Sequence, residues 1–210
     1  MDIIITLIRF YFLLLLRYKK LMEENALEIH SAEEFREWLF AHHDNKKECW
    51  LSLKRGKPKD DGSFYYLDAV EVALCFGWID SVQKSVGGQT FQRFSPRQKG
   101  SPWSELNKER VRRLEKLGLM TKWGKAVLPP MGPRSFQIDI DVESALKKAR
   151  VFKTFKSFPP LYQRVRAYNL MFYKKVDPRI YEKSLQHLIE ETKKGKMFGE
   201  WNDYGRLLNY

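Results

Sequence analysis

Eight side chains that could bind a ligand or transfer a proton lie within 33 residues of the sequence, between positions 78 and 110. Arginine suits carboxylates and phosphates because its guanidinium group presents a planar fork of donors. A neighbouring carboxylate can orient such an arginine or exchange a proton with a ligand. Tryptophan adds a flat apolar wall. The eight residues are Trp78, Asp80, Arg93, Arg97, Trp103, Ser104, Asn107 and Arg110.

The first three of these residues belong to a predicted β-hairpin. The segments WIDSVQKSV and QTFQRFS flank Gly87 and Gly88, and two glycines supply the positive φ angles of a tight turn. Side chains alternate along a strand, so Trp78 and Asp80 share one face. We expect Asp80 and Arg93 to form a charge-assisted pair. That pair either locks the hairpin or orients the arginine towards a ligand.

The other five residues lie in RQKGSPWSELNKER, a loop that runs into a helix beginning near Ser104. Free N–H groups and the positive end of the helix dipole favour an anion there. Asn107 and Arg110 follow on nearly the same face. Together with Arg93 and Arg97, these groups are suited to a carboxylate or phosphate beside Trp103. The alternative is that Ser104 is an ordinary N-cap and the arginines are solvated.

Other chemistry has less support in the sequence. Asp80 is the one candidate for a catalytic acid or base, which leaves an enzyme acting on a nucleotide-like or phosphorylated substrate as an alternative. Cys49 and Cys75 lie in apolar runs, and we predict buried, reduced thiols of a cytoplasmic protein. The four histidines show none of the usual metal-site spacings, so we predict neither a metal nor a cofactor.

The formal net charge of +12 is spread unevenly along the chain. Residues 22–92 carry a net charge of −5, whereas residues 93–134 carry +8 and residues 135–210 carry +6. This asymmetry predicts an anionic partner for the basic part, either a small molecule or an acidic group of a protein. Solvated lysine-rich helix faces are the plain alternative. Sequence-tolerant nucleic-acid binding around residues 110–125 is another.

The first 21 residues, MDIIITLIRFYFLLLLRYKKL, are strongly apolar. The apolar run covers only residues 3–16, is interrupted by Arg9, and is shorter than the roughly twenty residues of a spanning helix. Three interpretations stay open. The native chain begins at Met22, residues 1–21 form a peripheral or signal anchor at a membrane, or they form a packed helix.

Local patterns predict the remaining elements. Ser31 and Glu34 form a capping box for a helix over residues 32–43, and Asp68 is placed to cap a second helix that ends at Gly77. We therefore predict an α+β domain over residues 22–134, with a small antiparallel sheet or hairpin and helices. Further predicted elements are a strand near 49–53, helices at 105–117 and after Thr121, a C-terminal helical domain at 138–198, and a tail at 199–210.

Two long segments, LDAVEVALCFGWIDS and RFSPRQKGSPWSELNKERVRRLEKLGLMTKWG, resemble the signature of the YdeI/OmpD-associated family of bacterial bacteriocin-protection proteins. The resemblance covers residues 31–128, and its most specific stretches are 74–80, 93–97, 101–107 and 118–121. It implies a role in tolerance of bacteriocins or a related envelope stress. It implies no particular reaction and no cofactor.

Overall fold

A computed structural model describes residues 7, 9, 24–86, 88–132 and 134–210. The predictions about residues 1–21 and a start at Met22 therefore lie outside the described residues, apart from Leu7 and Arg9. No helix in the described part of the chain has both the length and the apolarity to cross a bilayer. The chain divides into two compact units: Met1–Lys99 with Met120–Val127, and Gly100–Leu119 with Leu128–Tyr210.

The described residues form four strands and eight helices, which confirms the α+β fold class. The strands are β1 (Ala26–Leu27), β2 (Cys49–Ser52), β3 (Trp78–Val86) and β4 (Gln89–Pro96). The helices are α1 (Ala32–His42), α2 (Tyr66–Cys75), α3 (Glu105–Lys116), α4 (Lys122–Ala126), α5 (Ile140–Lys148), α6 (Phe152–Ser157), α7 (Pro160–Val176) and α8 (Pro178–Lys193).

The first unit contains a sheet with the strand order β1-β2-β4-β3. The predicted hairpin is confirmed as the antiparallel pair β3–β4, and Gly88 adopts a φ of +78° in its turn, while Gly87 lies outside the described residues. β2 pairs antiparallel with β4. The sheet also contains a strand that was not predicted, the short β1, which pairs parallel with β2.

Helices α1 and α2 begin in different ways. The Ser31 hydroxyl accepts a hydrogen bond from the Glu34 N–H at 3.1 Å, which confirms the predicted cap of α1. The prediction that Asp68 caps α2 is wrong, since that residue lies within the first turn of the helix. The N–H of Tyr66 instead donates to the Lys54 carbonyl at 3.0 Å. A backbone partner thus satisfies a group that a cap would otherwise serve.

The core of the first unit lies between the sheet and its helices. Phe35 of α1 meets Phe94 of β4 edge-on, with ring centroids 5.5 Å apart, and both side chains are fully buried. Helix α4 packs closely on the end of α2. The Thr121 hydroxyl donates to the Cys75 carbonyl at 2.6 Å, and a Cβ atom at Gly124 would lie 2.2 Å from that same oxygen. Only glycine allows this approach.

The second unit is helical and includes segments that the sequence assigns elsewhere. Helix α3 belongs to it, although the predicted boundary places residues 100–119 in the α+β domain. The segment predicted as a tail, residues 199–210, contributes to the core, since Trp201 and Leu207 are buried beside Tyr162 in a cluster with Leu146, Phe155 and Leu188. Each helix has one apolar stripe, which must be buried against neighbouring helices. This cluster is the core that the stripes form together.

Helices α7 and α8 are separated by a single residue, Asp177. It is followed by Pro178, which disfavours a helical conformation at the preceding position. Asp177 accordingly adopts an extended conformation with φ of −152°, and its carboxylate accepts the Arg179 N–H at 2.9 Å. Pro178 then occupies the first position of α8, where its missing N–H costs nothing. The chain therefore turns back abruptly, and α7 packs against α8.

Candidate functional site

The eight residues singled out in the sequence fall into both units of the structure. Trp78, Asp80, Arg93 and Arg97 belong to the first unit. The second unit holds the other four, which are Trp103, Ser104, Asn107 and Arg110. Each set is therefore described within its own unit.

The two tryptophans are packed side chains. Trp78 is 1% exposed, and its indole N–H donates to the His43 carbonyl at 3.0 Å. Its ring stands edge-on to Trp38 with centroids 5.8 Å apart. Trp103 is also buried, at 7% exposed. Both side chains thus contribute to packing rather than to open pocket walls.

The predicted Asp80–Arg93 pair is not formed. Asp80 lies opposite Phe94 in the β3–β4 ladder, and directly opposite residues point to the same face of a sheet. Arg93 neighbours Phe94 in sequence and therefore points to the other face. The carboxylate of Asp80 instead accepts a hydrogen bond from the Tyr66 hydroxyl at 2.6 Å. Alternation along each strand does not fix the register between the strands, which shifts between Asp80 and Gln83.

Arg93 has a carboxylate partner from another part of the chain. Its Nε and Nη2 atoms lie 2.8 and 2.7 Å from one oxygen of Glu48, and its Nη1 donates to the Ser81 hydroxyl at 3.2 Å. The charge of Arg93 is therefore matched within the protein. Arg97 directly follows β4, and its backbone N–H donates to the Gly77 carbonyl at 2.9 Å.

The start of α3 is also satisfied by the chain itself. The Ser104 hydroxyl accepts the Asn107 N–H at 3.1 Å, which confirms the alternative that this serine is an N-cap. The side-chain oxygen of Asn107 accepts from Arg110 at 2.7 Å. Arg110 then donates to both oxygens of Asp203, at 2.7 and 2.8 Å, in a buried bidentate pair. An internal carboxylate thus occupies the position expected for an anionic ligand.

The cysteines are buried and free, as the sequence predicted. Burial raises the pKa of Cys75 to about 11, and it raises the pKa of Cys49 further still. Thiols with a raised pKa are poor nucleophiles because the thiolate is the reactive form. Within the described residues, no group of three or more His, Cys, Asp or Glu side chains is arranged to hold a metal ion.

A cavity of about 310 Å³ lies in the second unit, between α7 and α8. Positions 166, 169, 170 and 173 of α7 line one side of it, at the i, i+3, i+4 and i+7 spacing of a single helix face. These residues are Arg166, Asn169, Leu170 and Tyr173. The volume is at the lower end of the range for small-molecule sites.

Helix α8 and the following loop line the other side of the cavity. The helix contributes Lys183, Ser184, His187 and Leu188, which lie on neighbouring positions of one face. Phe198 completes the lining, and its ring meets the His187 imidazole with centroids 4.4 Å apart. The leucine and phenylalanine side chains thus form the apolar part of the lining. Its polar part includes Arg166, Lys183 and Asn169.

The electrostatics of this cavity differ from those of the predicted site. None of the described residues that line it is an aspartate or a glutamate, whereas Arg166 and Lys183 are cationic. Apart from Arg166, the polar side chains that line the cavity make no hydrogen bond with any residue that the structure describes. They are Asn169, Tyr173, Lys183, Ser184 and His187. Their donors and acceptors are therefore open to a ligand or to water.

Arg166 is held in place by two aromatic rings and a backbone carbonyl, and the Glu200 carboxylate offsets only part of the cost of burying its charge. The guanidinium group lies 4.5 Å from the Phe198 ring centroid and 5.3 Å from that of Tyr162, and it donates to the Phe198 carbonyl. Its Nε is buried and has no hydrogen-bond partner among the described residues. Burial lowers the pKa of Arg166, because water solvates the cation incompletely. An anion in the cavity would relieve that cost.

This cavity was not predicted from the sequence, although residues 144–176 carry a signal for it. Residues 144–176 contain nine lysines and arginines and no aspartate or glutamate. A helix face that includes Arg166, Asn169 and Tyr173 is too polar for a purely structural stripe. We interpreted this basic segment only as a source of net charge, because its facing helix could not be identified from periodicity.

The fold and cavity together define an α+β unit and a helical unit that holds a cation-lined pocket. A family described as a domain of unknown function, DUF8412, matches residues 27–127. The chain is thus similar to that family over the sheet, α1, α2, α3 and α4. No curated protein and no solved structure matches the chain. The α7–α8 cavity lies outside the matched residues.

Proposed function

We propose that this protein binds a small anionic molecule with an apolar body in the α7–α8 cavity. The observation that carries the proposal is the charge of the lining, which includes Arg166 and Lys183 and no carboxylate. The sequence offered Arg93, Arg97 and Arg110 for this role, and two of them, Arg93 and Arg110, are each paired with a carboxylate of the chain. Arg166 and Lys183 form no ion pair with any described residue, which favours the cavity as the anion site.

The lining also indicates how such a ligand would be oriented. Its carboxylate or phosphate would contact Arg166 and Lys183, with Asn169 and Ser184 as neutral hydrogen-bond partners. Its apolar body would pack on Leu170, Leu188 and the Phe198 ring. A cavity of about 310 Å³ accommodates a compact metabolite rather than a dinucleotide or a peptide.

The cellular role that we propose for this binding is tolerance of bacteriocins or a related envelope stress. This part of the proposal is supported by the resemblance of residues 31–128 to the YdeI/OmpD-associated family. It does not depend on the cavity, which lies in residues 166–198. The two parts can therefore be tested separately.

A thermal-shift assay on the full chain tests the binding proposal. The probes are phenyl phosphate, benzoate and inorganic phosphate, with benzyl alcohol as a neutral probe of similar size. A ligand at a hundred times its Kd stabilises the native state by about 2.7 kcal/mol. That corresponds to a rise of roughly 5–10 °C in Tm for a protein of this size. We expect the aromatic anions to raise Tm and benzyl alcohol to leave it unchanged.

Two lysine variants of α8 locate the effect. Lys183→Gln removes a cation that lines the cavity, and we expect at least a tenfold weaker response to phenyl phosphate, because a charge-assisted hydrogen bond is worth about 1.5–3 kcal/mol. Lys193→Gln makes the same change at an exposed position of the same helix, outside the cavity lining. An equal loss in both variants, or no response to any anion, would contradict the proposal.

A further inference from the structure

The second unit carries a dense cluster of unpaired cations away from the cavity, at the turn between α5 and α6. Four of them lie within nine residues, are exposed, and form no ion pair with any residue in the described ranges. They are Lys148, Arg150, Lys153 and Lys156. We name these four residues the α5–α6 basic cluster.

Three other cations of residues 144–176 are each paired with a carboxylate of the chain. Lys147 pairs with Glu143 at 2.6 Å, Arg164 pairs with Glu109 at 2.7 Å, and Lys174 contacts Asp139 at 3.0 Å. Residues 144–176 contain no acidic side chain, and no carboxylate from elsewhere in the described ranges pairs with the four residues of the cluster. Its positive potential therefore extends into solvent.

The cluster is presented on a firmly packed base. Val142, Leu146 and Phe155 of the same two helices are fully buried in the core of the unit. Lys153 and Lys156 lie three residues apart on α6 and so share its outer face. The helices thus direct their apolar sides inward and their charges outward.

We infer that the α5–α6 basic cluster is a binding surface for the phosphate backbone of a nucleic acid. Membrane binding by a basic helix requires apolar side chains that enter the interface. Apart from Ile140 at the start of α5, the described residues of these two helices expose no large apolar side chain. Contacts from exposed lysines and arginine to successive phosphates need no such insertion, and they carry no base specificity.

Binding of the full chain to a 20-base-pair DNA duplex, measured by fluorescence anisotropy at several salt concentrations, tests this inference. With about four phosphate contacts, the logarithm of the affinity should fall with the logarithm of salt at a slope near −3.6. The affinity should therefore drop roughly a hundredfold between 50 and 200 mM salt. A slope weaker than about −1, or no binding at 50 mM salt, overturns the inference regardless of any variant.

A matched pair of triple variants tests the location of this surface. Lys148→Glu, Lys153→Glu and Lys156→Glu together should reduce the affinity at least tenfold and flatten the salt slope. Arg150 is left unchanged because its φ of +60° makes substitution there a backbone change as well. The control reverses the exposed Lys46, Lys47 and Lys59, which alters net charge equally. An equal loss in the control overturns the inference, as does tighter binding to anionic phosphatidylserine vesicles than to the duplex.

Discussion

The guanidinium group of Arg110 donates to both carboxylate oxygens of Asp203, at 2.7 and 2.8 Å, across 93 residues of chain. Both residues are buried, at 8% and 2% exposed. The pair joins α3 to the segment that follows α8, and so helps to explain why both belong to the second unit. It also explains why Arg110 is poorly suited to bind an external anion.

Asp203→Asn should destabilise the protein by about 3–5 kcal/mol, because it leaves the Arg110 cation buried without its counter-charge. Asparagine tolerates the left-handed conformation of this position, where φ is +52°, so the backbone cost is small. Urea denaturation measures the loss. Asp141→Asn is the control, since its pair with Lys174 is exposed and such pairs contribute at most about 1 kcal/mol. Equal losses in the two variants would show that the buried pair is unimportant.

Gly124→Ala should destabilise the first unit by about 1–3 kcal/mol, since an added Cβ would lie 2.2 Å from the Cys75 carbonyl oxygen. The backbone of α2 and α4 would have to move apart. Gly132→Ala is the matched control, because no atom lies within 4 Å of a Cβ built there. Thermal melting compares the two. If both variants melt at the wild-type temperature, the close approach of α4 to α2 is incorrect.

Features set by neighbouring residues were predictable from the sequence. The hairpin follows from alternation around Gly87 and Gly88. The N-cap of Ser31 follows from Glu34 three residues on, and that of Ser104 from a serine at the start of a helical pattern. Helices α5 to α8 follow from apolar periodicity and from the prolines that start α7 and α8. Each of these signals lies within about ten residues of the feature that it specifies.

Features set by distant partners were not predictable in the same way. Arg93 binds Glu48, which is 45 residues away, and Asp80 binds Tyr66 because the ladder register places it opposite Phe94. Charge complementarity predicted that Arg93 would have a carboxylate partner but could not choose among several. The α7–α8 cavity could not be predicted for the same reason, because the sequence does not show which two helix faces pack together.

Cys49 and Cys75 should react slowly with Ellman's reagent at pH 8 in the native protein and rapidly in guanidinium chloride. Both thiols are buried, and their raised pKa values leave little thiolate at this pH. Absorbance at 412 nm follows the reaction, and an unfolded sample counts both thiols. Rapid labelling of either cysteine in the folded protein would contradict the packing described for the first unit.

The stability of the second unit should decline between pH 10 and 12 partly through Tyr210. Burial, together with the hydrogen bond that its hydroxyl donates to Glu109 at 2.8 Å, raises the pKa of Tyr210 to about 12. The unfolded chain releases this proton near pH 10, so the stabilisation is present below pH 10 and is lost as pH rises through 12. Tyr210→Phe lacks this contribution, and the stability difference between the two proteins should shrink over that range. A constant difference would argue against the contact.

The central claim is that the α7–α8 cavity binds a small anion, and a titration with phenyl phosphate followed by ¹H–¹⁵N NMR tests it most directly. We expect the largest chemical-shift changes in the backbone and side-chain amides of residues 166–173 and 183–188, and at Phe198, with saturation at millimolar ligand or below. Chemical-shift changes centred on Arg93, Arg97 or the start of α3 would show that the ligand binds at the site expected from the sequence. Either that result or the absence of saturable changes would contradict the account.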